Sequence, residues 1–227
     1  MLSSAATRTV SLLTLAIGAS TAISAWAAEP IPCKPEVWEE TIAAFEAADA
    51  KDPPPKQGML FVGSSSIRLW DLKKSFPGLP VINRGFGGSQ ICDATHYAER
   101  LITRHDPRVV VFYAGDNDIA AGKSPEQVHK NFRAFVAAVR KSLPKTPIVF
   151  IAIKPSIARW KLAEQIQAAN RLIAADCEED KTLEFVDVWP KMLGEDGKPR
   201  AELLRDDKLH MTDAGYASWT ELLLPHL

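Results

Sequence analysis

Four short segments of this 227-residue chain hold side chains that could do chemistry together. Gly63-Ser64-Ser65-Ser66 offers hydroxyls. Asn83-Arg84-Gly85-Phe86-Gly87-Gly88-Ser89 offers glycines that would let backbone N–H groups come close to a bound molecule. Ala114-Gly115-Asp116-Asn117-Asp118 offers a carboxamide between two acids, and Asp206-Asp207-Lys208-Leu209-His210 an imidazole with carboxylates close by in sequence. A serine hydrolase needs a hydroxyl, an imidazole to take its proton, a carboxylate to orient that imidazole, and N–H donors for the oxyanion. All of these parts occur here. Asp207 and His210 are three residues apart, so one short turn could hold acid and base. Each segment alone has a plainer reading: a serine cluster makes a tight turn and caps a helix, and GFGG is more often a turn than a site.

What must position these segments is visible in the hydrophobic pattern. Apolar runs at Met59 to Val62, Pro80 to Ile82, Val109 to Tyr113, Ile148 to Ile153 and Leu183 to Val188 are short, nearly continuous and bounded by turn residues, as strands covered on both faces are. Helical spacing lies between them. Glu36 to Ala50 places Val37, Ile42 and Phe45 roughly on one side. Ser124 to Leu143 carries a Ser124 N-cap, Pro125 at its first position and Gln127 to close a capping box, with Val128, Phe132, Phe135, Val136, Val139 and Leu143 as the buried stripe. A final helix should turn Trp219 and Leu223 inward, with Gly215 and Tyr216 placing it after the His210 turn. This alternation predicts a three-layer α/β/α domain with a mostly parallel five-stranded sheet. Ligands of such sheets bind beyond the carboxyl ends of the strands, and three of the four segments directly follow predicted strands.

Composition sets the remaining bounds. Hydrophobic residues make up 46% and charged residues 24%, ordinary for a globular chain of about one domain. Residues 1–28 contain one charged side chain, Arg8, an apolar stretch from about Val10 to Ile23, and Ala25-Trp26-Ala27 at the end. That pattern predicts a secretory signal peptide over 1–28, with the domain over 29–227, in a secreted or periplasmic protein. Cleavage would leave 26 basic against 28 acidic side chains, a balance that gives no sign of a nucleic-acid partner. Cys33, Cys92 and Cys177 could form one disulfide in an oxidising compartment, with all three pairings open. Their spacing matches no zinc motif. Asp116 and Asp118 lack a third ligand at a fitting spacing, so turn capping is the expected role. His96, His105, His129 and His226 have no partner pattern and are expected on the surface or in packing.

On these motifs the chain resembles the SGNH, or GDSL-type, hydrolase superfamily. Gly115-Asp116-Asn117-Asp118 fits its GxND block and Asp207-Lys208-Leu209-His210 its DxxH block, in order behind a Gly-x-Ser turn. The resemblance spans nearly the whole mature chain. It implies a flavodoxin-like sheet and a metal-free, cofactor-free esterase. Ser65 would be the nucleophile, His210 the general base and Asp207 its orienting acid, while the N–H groups of Ser65 and Gly88 and the Asn117 side chain would form the oxyanion hole. One departure stands out: Ser64 occupies the position where the family has Asp. That Asp is not the family's triad acid, so the expected effect is a local change in hydrogen bonding. The alternative G-x-S-x-G elbow of α/β-hydrolases is excluded, because Ile67 stands two residues after Ser65. Arg159 and Trp160 follow the fourth strand, where they could contact a leaving group such as a sugar or form a solvated loop. No long apolar insertion is present to hold a fatty chain, so short acyl esters, acetyl above all, are the expected substrates. Acyl transfer to sugar hydroxyls, or a non-catalytic carbohydrate- or acyl-binding module, are the alternatives.

Overall fold

The computed structural model describes Met1 and residues 32–227. The predicted signal peptide therefore lies outside the described residues apart from Met1. Five strands form one all-parallel sheet: β1 Met59–Gly63, β2 Val81–Gly85, β3 Val109–Tyr113, β4 Ile148–Ile151 and β5 Leu183–Val186, in the order β2-β1-β3-β4-β5. Every residue of β1, β3 and β4 is buried, whereas β2 and β5 contain partly exposed positions. The difference follows from position, since β2 and β5 are the sheet's edges.

Two consecutive residues of β3 show how the sheet is covered. The Phe112 ring stacks on Phe135 of the helix Pro125–Arg140, with centroids 3.8 Å apart, while Tyr113 meets Trp219 of the helix Asp213–Leu223 at 4.9 Å. Neighbouring strand residues point to opposite faces, so these helices cover opposite sides of the sheet. This is the three-layer architecture the sequence predicts. The capping box at Ser124 and Gln127 forms as expected, and Val128, Phe132, Phe135 and Val139 are buried. Each large apolar side chain taken from water contributes about 1.5–3 kcal/mol, so this stripe anchors its helix.

Several boundaries differ from expectation: β2 runs on through Asn83, Arg84 and Gly85, β5 stops at Val186, and two others have visible causes. The segment Pro35–Trp38 is a 3₁₀ turn that precedes the α-helix Glu39–Lys51, and Val37 is exposed instead of facing inward. A 3₁₀ turn has three residues per turn, which rotates Trp38 and not Val37 toward the core. The fourth strand ends at Ile151, two residues early, because Asn170 takes over beyond it: its carboxamide accepts from the Ile153 N–H and donates to the Ile153 carbonyl, both at 2.9 Å. Among the described residues no helix is long and apolar enough to cross a membrane.

Candidate active site

β1 and β3 are paired neighbours, and the order of connections reverses between them, which opens a crevice at their carboxyl ends. Ser65 follows β1 and Asn117 follows β3. The Ser64 N–H donates to the Tyr113 carbonyl at 3.0 Å, tying the two strand ends together. Ser64 is extended and Ser65 begins the short helix Ser65–Arg68, which turns the Ser65 side chain out of the sheet. Ser64 and Ser66 are buried, while Ser65 is partly exposed. Of the three serines, Ser65 alone is hydrogen-bonded to His210.

That contact is part of a continuous chain. Ser65 Oγ lies 2.9 Å from His210 Nε2, and His210 Nδ1 lies 2.6 Å from Asp207 Oδ2. The other Asp207 oxygen accepts from the N–H groups of Leu209 and His210, each at 2.9 Å. Lys208 adopts a left-handed conformation to make this turn, at φ 58°. Backbone bonds from Arg205 N–H to the His210 carbonyl and from Lys208 N–H to the Arg205 carbonyl close it. The His210 ring above all, with the N–H groups of Leu209 and His210, holds the Asp207 carboxyl well below the usual carboxylate range. Asp206, the acid next to it in sequence, is not in this chain of contacts.

The donor side assembles from the β2 and β3 loops. An added methyl at Gly88 would sit 3.9 Å from Asn117 Nδ2, so Gly88 and the carboxamide face one small space. Asn117 Nδ2 donates to the Ser89 carbonyl at 3.0 Å, and Arg159 Nη2 donates to Asn117 Oδ1 at 2.9 Å. The glycines of this loop serve packing more than substrate approach. A Cβ at Gly85 would lie 2.1 Å from the Arg68 nitrogen, and one at Gly87, where φ is 43°, would lie 2.1 Å from the Trp38 ring.

The two acids flanking Asn117 are ion-pair partners, not caps of their own turn. Asp116 Oδ2 lies 2.9 Å from Arg159 Nη1 and 3.6 Å from Lys154 Nζ. Asp118 accepts from Lys123 Nζ at 2.9 Å and from the N–H of Ile91, at the start of the next helix, at 3.0 Å. Lys123 is five residues from Asp118, but Ile91 and both partners of Asp116 are far along the chain, where local spacing shows nothing. Arg159 is thus turned toward Asp116 and Asn117. Trp160 is partly buried, with its ring 6.2 Å from that of Trp189. His129 pairs with Asp176 and His226 with Glu184, while His105 packs by Asp49. Cys33 pairs with Cys92, and Cys177 is a buried free thiol whose pKa burial pushes up to about 12.

A parallel five-stranded sheet whose strand-end loops bring together serine, histidine, aspartate and asparagine has the architecture of an α/β/α ester hydrolase. The chain belongs to the GDSL-like Lipase/Acylhydrolase family, whose model matches residues 67–218. The matched stretch starts two residues beyond Ser65. The fold is similar to that of a protein from Streptococcus pneumonia provisionally assigned as a platelet activating factor, at 22% identity and TM-score 0.74, over 84% of this chain and 95% of that one. It is also similar to a GDSL-like lipase from Bacteroides thetaiotaomicron, at 19% identity and TM-score 0.70, over 82% and 96%. A third similar structure is a serine-to-alanine mutant of an acetyl esterase with acetate ion, at 17% identity and TM-score 0.58, over 74% and 95%. None of the curated protein sequences matches this chain.

Proposed function

We propose that this acylhydrolase is a secreted or periplasmic serine esterase that cleaves short acyl esters, acetyl esters above all. The observation that carries the reading is the unbroken run of contacts from Ser65 Oγ through His210 to Asp207. In the proposed mechanism His210 Nε2 takes the Ser65 proton as Oγ attacks the ester carbonyl. The oxyanion so formed accepts hydrogen bonds from the Ser65 and Gly88 N–H groups and from Asn117 Nδ2. As the tetrahedral intermediate collapses, the alcohol leaves with the proton held by His210. Water, deprotonated by His210, then attacks the acyl-Ser65 carbonyl and releases the acid, and the proton returns to Ser65.

The short acyl preference is supported by the lack of a long apolar insertion in the sequence and by the polar groups gathered beside Gly88, namely Ser89, Asn117 and Arg159. The fold it shares with an acetyl esterase is consistent with this choice. Export is supported by the leader-like residues 1–28 and by the Cys33–Cys92 disulfide, a bond that persists in oxidising compartments.

The test is hydrolysis of p-nitrophenyl acetate, butyrate and octanoate by the mature protein and by Ser65→Ala. The expected result is fastest turnover of acetate and a loss of several orders of magnitude in the variant. Equal activity of the two proteins would exclude Ser65 as nucleophile. Preference for octanoate would refute the short acyl assignment.

A further inference from the structure

The Asn117 carboxamide presents an amine on one edge and an oxygen on the other. Only the amine can serve an oxyanion hole, because only it donates. Turned about its last bond by half a revolution, the same side chain would aim an acceptor at the developing negative charge. Something must therefore set its direction.

Two neighbours do so, and they agree. The Ser89 carbonyl accepts one N–H of Nδ2 at 3.0 Å, and Arg159 Nη2 donates to Oδ1 at 2.9 Å. In the turned state the Ser89 carbonyl would face an oxygen and the guanidinium would face an amine, so both contacts would become repulsive. The observed direction keeps Nδ2, which has a second N–H to give, beside Gly88, where an added methyl would sit 3.9 Å from it. The guanidinium is itself held in place: Nη1 lies 2.9 Å from Asp116 Oδ2, and the Asp116 side chain is 7% exposed. The Arg159 side chain is 18% exposed, so most of its surface is committed to these protein partners.

We propose that Arg159 is a positioning residue for ester hydrolysis, which acts by fixing the direction of the Asn117 carboxamide. This rests on the assignment of Ser65 and Asn117 above. Lys154 makes the proposal testable. Its ammonium lies 3.6 Å from the same Asp116 oxygen, so removing the guanidinium does not leave Asp116 without a cation.

The experiment is a double-mutant cycle on p-nitrophenyl acetate with Arg159→Met, Asn117→Ala and the double variant, alongside Arg159→Lys. Arg159→Met should lower kcat about 10- to 100-fold, less than or equal to the loss of a whole oxyanion donor, with KM within about twofold. In the Asn117→Ala background it should have no further effect, and Arg159→Lys should recover part of the loss. An Arg159 effect that persists in the Asn117→Ala background, or that falls on KM, would overturn the proposal in favour of direct substrate contact. Wild-type kcat in Arg159→Met would overturn it outright. Should Arg159→Met fail to fold by circular dichroism, the same cycle with Arg159→Lys decides: its smaller loss must vanish when Asn117 is gone. Failure of the underlying assignment reads differently, as wild-type activity in Ser65→Ala or Asn117→Ala.

Discussion

The six-membered ring of Trp38 packs so closely on Gly87 that a single methyl there would come within 2.1 Å of two ring carbons. The same indole meets Phe86 edge-on at 5.6 Å. The chain ahead of the first helix thus supports the loop that carries Gly88. Gly87 also has φ 43°, a conformation that costs an L-residue about 1–2 kcal/mol. Gly87→Ala is therefore expected to lower the melting temperature and, by moving the Gly88 N–H, to lower kcat on acetyl esters. Adding Trp38→Ala removes the clash but not the backbone strain, so it should restore only part of both. Wild-type kcat in Gly87→Ala would show that the loop's position does not matter to turnover.

The Cys33–Cys92 disulfide staples that same N-terminal segment to the helix Ile91–His96, which directly follows the loop. With the two cysteines 59 positions apart in sequence, closing this loop restricts the unfolded chain by about 4 kcal/mol in the chain-entropy account. Cys33→Ser with Cys92→Ser should lower the unfolding free energy by about 2–4 kcal/mol. Tyr97, whose hydroxyl donates to the Pro35 carbonyl at 2.9 Å, keeps a second hold on the segment, so a folded state should persist. Thiol labelling after denaturation gives the complementary check, with one reactive cysteine without reductant and three with it.

How much of this could be read beforehand depended on the range of the interactions. Strand positions and the Pro125–Arg140 helix followed from local periodicity and a capping box, both of which lie within a few residues. Asp207 and His210 were legible because their partnership is three residues long, and the turn that joins them is local. Among the three serines the resemblance points to Ser65, and the geometry places Ser65 alone against His210. Asp116 was read as a turn cap because its real partners, Lys154 and Arg159, lie about forty residues away and leave no periodic trace. A helical period begun at Glu36 turns Val37 inward, whereas the chain is 3₁₀ over Pro35–Trp38. Trp38 is the residue that packs there, four before Ile42 and seven before Phe45. The disulfide could not be chosen among three pairings, since spacing in sequence carries no distance in space.

Ser64 stands where the family has Asp, and its hydroxyl is buried with no hydrogen-bond partner among the described residues. A buried unsatisfied hydroxyl costs about 1–3 kcal/mol. Ser64→Ala should consequently be neutral or raise the melting temperature by a few degrees, on the scale of about 2–4 °C per kcal/mol for a chain of this size. Ester hydrolysis should be unchanged. A large loss of activity would mean that the Ser64 hydroxyl contributes to the site directly.

Asp207→Asn tests the histidine's tautomer. Both Asp207 oxygens are engaged, one by backbone N–H groups and one by His210 Nδ1. The amide oxygen of Asn can keep the backbone bonds, which turns its NH₂ toward Nδ1. His210 must then accept at Nδ1 and carry its proton on Nε2, where it donates to Ser65 and cannot act as base. The expected loss is about 10³–10⁴ in kcat with the fold intact. The pH profile follows from the same pair. The Asp207 carboxyl is held below its ordinary range, so its contribution to stability is present above the unfolded pKa, near 3.9, and is lost only as pH falls through the lower folded value. Between neutrality and that range Asp207 stays ionised, and protonation of His210 alone should switch the base off. The acid limb of kcat/KM is therefore expected to fit one proton, with activity falling as pH decreases. A flat profile from acid to neutral would exclude His210 as general base, and a two-proton limb would show that Asp207 titrates along with it.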